Sequence, residues 1–125
     1  MHLQESGEMY LETILVLKER KGAVRSIDVA NEMGYSKPSI SRAVSHLREG
    51  GYVEMDSDGY LSLTESGMEV ATKIYERHRV LSRLLMMIGV DEKTATEDAC
   101  RMEHVISDKS FNVIKEHMKA IGEID

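Results

Sequence analysis

Residues 26–53, SIDVANEMGYSKPSISRAVSHLREGGYV, leave a folding chain little choice. Ser26 is placed to cap a short helix, IDVANEM, which Gly34 ends. Ser36 is placed to cap a second helix. Pro38 then falls in its first turn, where a missing N–H costs nothing. That helix runs through ISRAVSHLRE and stops at Gly50-Gly51. Two short helices joined by a tight, glycine-containing turn make a helix-turn-helix pattern. The following YVEMDSDGYLSL has two short runs, with Tyr and Val, flanking Ser57-Asp58-Gly59, which predicts a β-hairpin. Ahead of both lies EMYLETILVLKER, residues 8–20, an amphipathic helix closed by Lys21-Gly22. Helix, helix-turn-helix and hairpin, in that order, form a winged helix. The less specific alternative is any small α+β domain.

The remainder reads as helix throughout. Thr64 is placed to cap a long helix over 65–87, with a seam of Ala71, Ile74, His78, Leu81, Leu85 and Ile88. This heptad-like 3-4 spacing suits packing between helices or between subunits. Asp91 opens the next helix and Ser107 the last, DKSFNVIKEHMKAI. The expected fold is mostly α. A winged helix-turn-helix with a small β-hairpin wing over 1–63 precedes an all-helical dimerisation domain over 64–125.

Charge narrows the partners. The chain carries a net −6, but residues 18–48 hold Lys18, Arg20, Lys21, Arg25, Lys37, Arg42 and Arg48 against Glu19, Asp28 and Glu32. That window is locally +4, so an acidic chain presents one basic strip suited to phosphates. No apolar run approaches the ~20 residues that span a bilayer. The first residues, MHLQESGEMY, lack the basic start and apolar stretch of a signal peptide. Cys100 is the only cysteine and has no internal disulfide partner. A reducing cytoplasm and no membrane association are therefore expected.

Cys100, Glu103 and His104 stand at i, i+3 and i+4, within a fan of roughly 100° on one helix face. Taken alone, this face reads more readily as an ordinary polar surface beside a small core cysteine. His78 shifts that balance, because it interrupts an otherwise apolar seam. Met9 and Glu12 form another i, i+3 pair on the first helix. Sulfur, imidazole and carboxylate donors together suit a borderline ion such as Fe(II), Co(II), Ni(II) or Zn(II). They do not suit Mg(II) or Ca(II), which want oxygen shells. The two paired close spacings of a structural zinc finger are missing.

The runs EMYLETI, SIDVANEMGYSKPSISRAVSHLREGGYV, LTESGMEVA, ERHRVLSRLL and IGVDEKTATEDACRMEHVISD resemble, in order, the diphtheria toxin repressor family of iron- and manganese-responsive transcriptional repressors. The resemblance covers nearly the whole chain, and ACRMEHVISD is its most specific piece. It implies that the Cys100–Glu103–His104 trio is a metal site. It further implies that Met9, Cys100, Glu103 and His104 match the iron-type primary ligands. Glu12 occupies the place of a manganese-type ligand to a second ion, and His78 matches a histidine ligand of both branches.

The chain departs from both branches. Manganese-type regulators carry Asp and Glu where Met9 and Cys100 stand, and iron-type members carry Glu and His in place of Ser82 and Thr96. With the sequence ending at Asp125, the two-domain form without an SH3-like domain is expected. An iron-type ancillary site is then not expected. The resemblance implies a homodimer that binds a palindromic double-stranded operator when loaded with Fe(II), the favoured ion, or Mn(II), and thereby controls metal-homeostasis genes.

On the DNA side, the N-terminal end of the second helix of the pair should enter the major groove. Ser36, Lys37, Pro38, Ser39, Ser41 and Arg42 are the candidates there, with Arg48 further along. Ser39 and Ser41 are placed for phosphates and Pro38 for a thymine methyl. Lys37 and Arg48 suit phosphates better than bases. Arg42 stands where iron-type members have a base-contacting glutamine, so a guanine and a phosphate are both open to it. Two rival readings are a winged-helix regulator with a metal-free dimerisation domain, and a small metalloenzyme with Glu103 as base. The second lacks a Gly-rich loop and offers little material for a substrate pocket.

Overall fold

The computed structural model describes residues 3–125, which divide into two compact units, Met1–Thr72 and Lys73–Asp125. In the first, α1 (Glu5–Lys21), α2 (Ser26–Met33) and α3 (Lys37–Glu49) precede the hairpin β1 (Val53–Met55) and β2 (Leu61–Leu63). The strands are antiparallel, with Val53 opposite Leu63 and Met55 opposite Leu61. The segment before α2 joins them: Leu61 N–H donates to the Val24 carbonyl at 2.7 Å, and Arg25 bridges Tyr60. This is the expected winged helix-turn-helix.

Its core is aliphatic. Leu11, Ile14 and Leu17 of α1 meet Val24, Val29, Ile40, Val44, Leu47, Val53 and Leu61, all buried. Each such side chain contributes roughly 1.5–3 kcal/mol on leaving water. The hairpin is held by its own turn, where Asp56 Oδ1 accepts the N–H groups of Asp58 and Tyr60, each at 2.9 Å. Gly59 supplies the positive φ of 86° that the turn requires.

Most expected caps are present. Ser36 Oγ accepts the Ser39 N–H (3.3 Å), and Thr64 Oγ1 accepts that of Gly67 (3.1 Å). Asp91 accepts the Thr94 N–H and Ser107 that of Ser110. Ser26 is the exception, since it is the first helical residue and Arg25 takes the cap position. The reason is local: Asp28 Oδ2 captures the Arg25 N–H at 2.8 Å, while Lys21 pairs with the same carboxylate at 2.7 Å. Both contacts lower the Asp28 pKa, the Lys21 hydrogen bond most.

α4 (Glu65–Met87) leads into the second unit, where α5 (Glu92–Val105) and α6 (Asp108–Ala120) complete a helical bundle. Ile74 and Leu81 of the expected seam are buried, but Ile88 lies beyond the helix and is 66% exposed. Gly89, at φ 111°, turns the chain away there. A second row on α4, Val80 with Leu84, packs with Phe111, Ile114 and Met118 of α6 and with Ile106. Among the described residues no helix is long and apolar enough to cross a membrane.

Candidate metal centre and DNA-facing surface

Helix α5 buries Ala95, Ala99 and Glu103, a face with 4-4 spacing that turns one carboxylate into the bundle of the second unit. Glu103 is 0% exposed. His78, from α4, approaches it: Nδ1 lies 2.9 Å from Glu103 Oε2. His104 lies on the other side, with Nε2 3.3 Å from Glu103 Oε1. One buried carboxylate thus stands between two imidazoles, and the His104 side chain is itself enclosed. Burying an ionised carboxylate costs several kcal/mol unless positive charge or hydrogen bonds compensate. Cys100 is half-buried, one turn earlier on α5, and its thiol is free of any disulfide.

The structure therefore brings His78, Glu103 and His104 together and keeps Cys100 on their helix. Nitrogen, oxygen and sulfur donors of this kind fit a borderline divalent ion and not a hard one. Met9 and Glu12 belong to the first unit, where both are half-buried on α1, beside the buried Leu11 and Ile14. The Met9 carbonyl accepts the Thr13 hydroxyl at 2.8 Å.

Arg77, next to His78, escaped the sequence reading. It is only 6% exposed. Its guanidinium donates to the carbonyls of Glu103 (3.2 Å) and Ile106 (2.7 Å) and to the Asp108 carboxylate. Lys73 also pairs with Asp108, at 3.1 Å. The hydrogen bond from Lys73 is the main cause that holds the Asp108 pKa below its usual value. A sequence signal did exist: Arg77 occupies a 3-4 seam position between Ile74 and Leu81.

On the first unit, α3 displays Lys37, Pro38, Ser41, Arg42 and Arg48 to solvent and buries Ile40, Val44 and Leu47. Ser36 and Ser39 are coupled: the Ser36 hydroxyl donates to Ser39 Oγ at 2.9 Å, and Arg42 Nη2 reaches the same oxygen at 3.5 Å. Arg42 lies back along its own helix and must leave Ser39 to reach a base. Arg25, at the start of the wing, stacks over Tyr60 at 4.3 Å.

Comparison with known proteins agrees with this architecture. The model of the iron dependent repressor N-terminal DNA binding domain matches residues 2–63. That of the iron dependent repressor metal binding and dimerisation domain matches 64–123. An uncharacterized HTH-type transcriptional regulator of Methanocaldococcus jannaschii is 33% identical over 119 residues, which cover 94% of this chain and 95% of the relative. The diphtheria toxin repressor of Corynebacterium diphtheriae is 36% identical over 108 residues, 86% of this chain but 48% of that protein. The chain thus spans about half the length of that repressor. A solved manganese-dependent transcriptional repressor in complex with manganese superposes with a TM-score of 0.83 at 27% identity, over 90% of this chain and 52% of the other. The chain belongs to the iron-dependent repressor family, a family of metal-dependent transcriptional regulators and not of enzymes.

Proposed function

We propose that this protein is a metal-activated transcriptional repressor. In this reading a homodimer binds a palindromic operator when loaded with Fe(II) or Mn(II). Residues 1–63 read DNA, and 64–125 hold metal and pair the subunits. The observation that carries the proposal is the buried Glu103 carboxylate between His78 Nδ1 at 2.9 Å and His104 Nε2 at 3.3 Å. When bound, a divalent ion supplies the positive charge that this donor set is built to receive. His78, Cys100, Glu103 and His104 are the ligands from the helical half. Family resemblance adds Met9 and Glu12 from α1.

Donors drawn from both halves give the mechanism. Glu12 and Glu103 carry like charges and resist convergence unless a cation joins them. Their convergence ties α1, and with it the helix-turn-helix, to the dimerising half. Fewer orientations of the two α3 helices then remain, so less ordering cost is left when DNA binds. The half-sites lie about one helical turn apart, or a multiple of it. Lys37 and Arg48 hold phosphates, Ser39 and Ser41 assist them, and Pro38 and Arg42 face base edges. Ser36 does its work as the cap that aims the start of α3. We place the protein in the cytoplasm, where Cys100 stays reduced.

Met9 and Cys100 set the choice of ion. Sulfur at both positions favours Fe(II) over the harder Mn(II), which gains least from a thiolate. The test is operator binding by the purified dimer, titrated separately with anaerobic Fe(II), Mn(II) and Zn(II). Met9→Asp combined with Cys100→Glu is expected to raise the Mn(II) response relative to Fe(II). An unchanged ratio would move selectivity to Glu12 and His78.

A further inference from the structure

We propose that Arg77 is a positioning residue for the metal centre. It fixes the last turn of α5 so that Glu103 and His104 meet His78 at coordinating distance. The inference rests on the metal-site reading above but uses contacts that reading does not need. Arg77 and His78 are neighbours on α4, and they grip one residue of α5 from both ends. His78 Nδ1 holds the Glu103 carboxylate at 2.9 Å, and Arg77 Nη1 holds the Glu103 carbonyl at 3.2 Å. The rotation of Glu103 about its own helix is thereby fixed, and His104, the next residue, is fixed with it.

The same guanidinium also ends α5. The Ile106 carbonyl, at the C-cap, accepts from Nη1 at 2.7 Å, and Ile106 N–H closes the helix on the Met102 carbonyl at 3.0 Å. A positive charge here complements the negative end of the α5 dipole. Nη2 reaches across to Asp108 at the start of α6, where a negative charge is favoured for the same reason. The Arg77 Cζ lies 5.4 Å over the Phe111 ring. One nearly buried cation thus joins α4, the end of α5 and the start of α6.

Only a planar fork meets acceptors lying in these separate directions; a lysine ammonium is a point charge on a flexible stem. Arg77→Lys therefore separates geometry from charge, and Asp108→Asn removes only the α6 anchor. Metal-free Arg77→Lys is expected to stay folded by circular dichroism. Its amides over residues 104–108 should exchange with solvent about tenfold faster than in the parent, with little change elsewhere. By calorimetry its Mn(II) affinity should fall about 10–100-fold. Asp108→Asn should show the same changes more weakly, because both carbonyl bonds remain, and it carries the test if Arg77→Lys unfolds.

A folded Arg77→Lys with parental exchange over 104–108 and parental Mn(II) affinity would overturn the proposal. So would exchange that rises evenly across α4, α5 and α6, the signature of a merely structural role. If the parent binds no Mn(II), the metal reading falls by itself. The exchange comparison then still decides whether Arg77 fixes the turn.

Discussion

Glu103→Gln is expected to lower Mn(II) affinity by more than about 100-fold while leaving the helical half folded. Removing a partner outside the ligand shell already costs about 10–100-fold in such sites, and Glu103 is assigned to the shell itself. Glutamine keeps the side-chain volume, so the packing around Ala95 and Ala99 has no cavity to absorb. It removes a negative charge that is 0% exposed, and replacing buried ions with neutral groups of similar size is often neutral or stabilising. The expected signature is split: calorimetric metal binding collapses, while the melting temperature of the metal-free variant holds or rises. A folded variant with parental metal affinity would remove Glu103 from the ligand set.

The second large effect concerns DNA. Lys37, Arg42 and Arg48 are exposed on α3, within the +4 strip of a chain whose net charge is −6. Operator binding should therefore be strongly salt-dependent, because each neutralised phosphate releases counterions. For about 6–10 phosphate contacts by a dimer, affinity should fall about 10³-fold or more between roughly 50 and 200 mM salt. Arg48→Ala should weaken binding on all sequences and reduce the salt slope by about 1. Arg42→Ala should instead relax discrimination at one base pair and cost about 1–3 kcal/mol, if its guanidinium leaves Ser39 for a guanine. Equal loss on operator and random DNA would make Arg42 a phosphate contact. Fluorescence anisotropy over a salt series, on operator and scrambled duplexes, separates these outcomes.

The parts of the fold that were legible in the sequence are those set by neighbouring residues. Ser36, Thr64, Asp91 and Ser107 cap helices because each side chain needs only an N–H three residues ahead. The hairpin was legible for the same reason, in Asp56 and Gly59. Ser26 misled because two residues compete for one helix start, and Asp28 won with help from Lys21 across a turn. Ile88 misled because an apolar repeat continues in sequence after Gly89 has turned the backbone away. Local pattern also put Cys100, Glu103 and His104 on one face. The approach of His78 to Glu103, 25 residues away in sequence, depends on how α4 packs on α5. Arg77 lay further out of reach. A charged residue in a seam usually points to solvent, and its partners lie 26, 29 and 31 residues on.

The central claim is that metal and operator share one coupling free energy, which has to be reciprocal. The most direct measurement is the Mn(II) affinity of the dimer, alone and saturated with operator duplex, set beside operator affinity with Mn(II) and with chelator. The account predicts that operator tightens Mn(II) binding by the factor by which Mn(II) tightens operator binding, about 5–150-fold for couplings of ordinary size. Operator affinity unchanged by chelator, with Mn(II) affinity unchanged by operator, would contradict it.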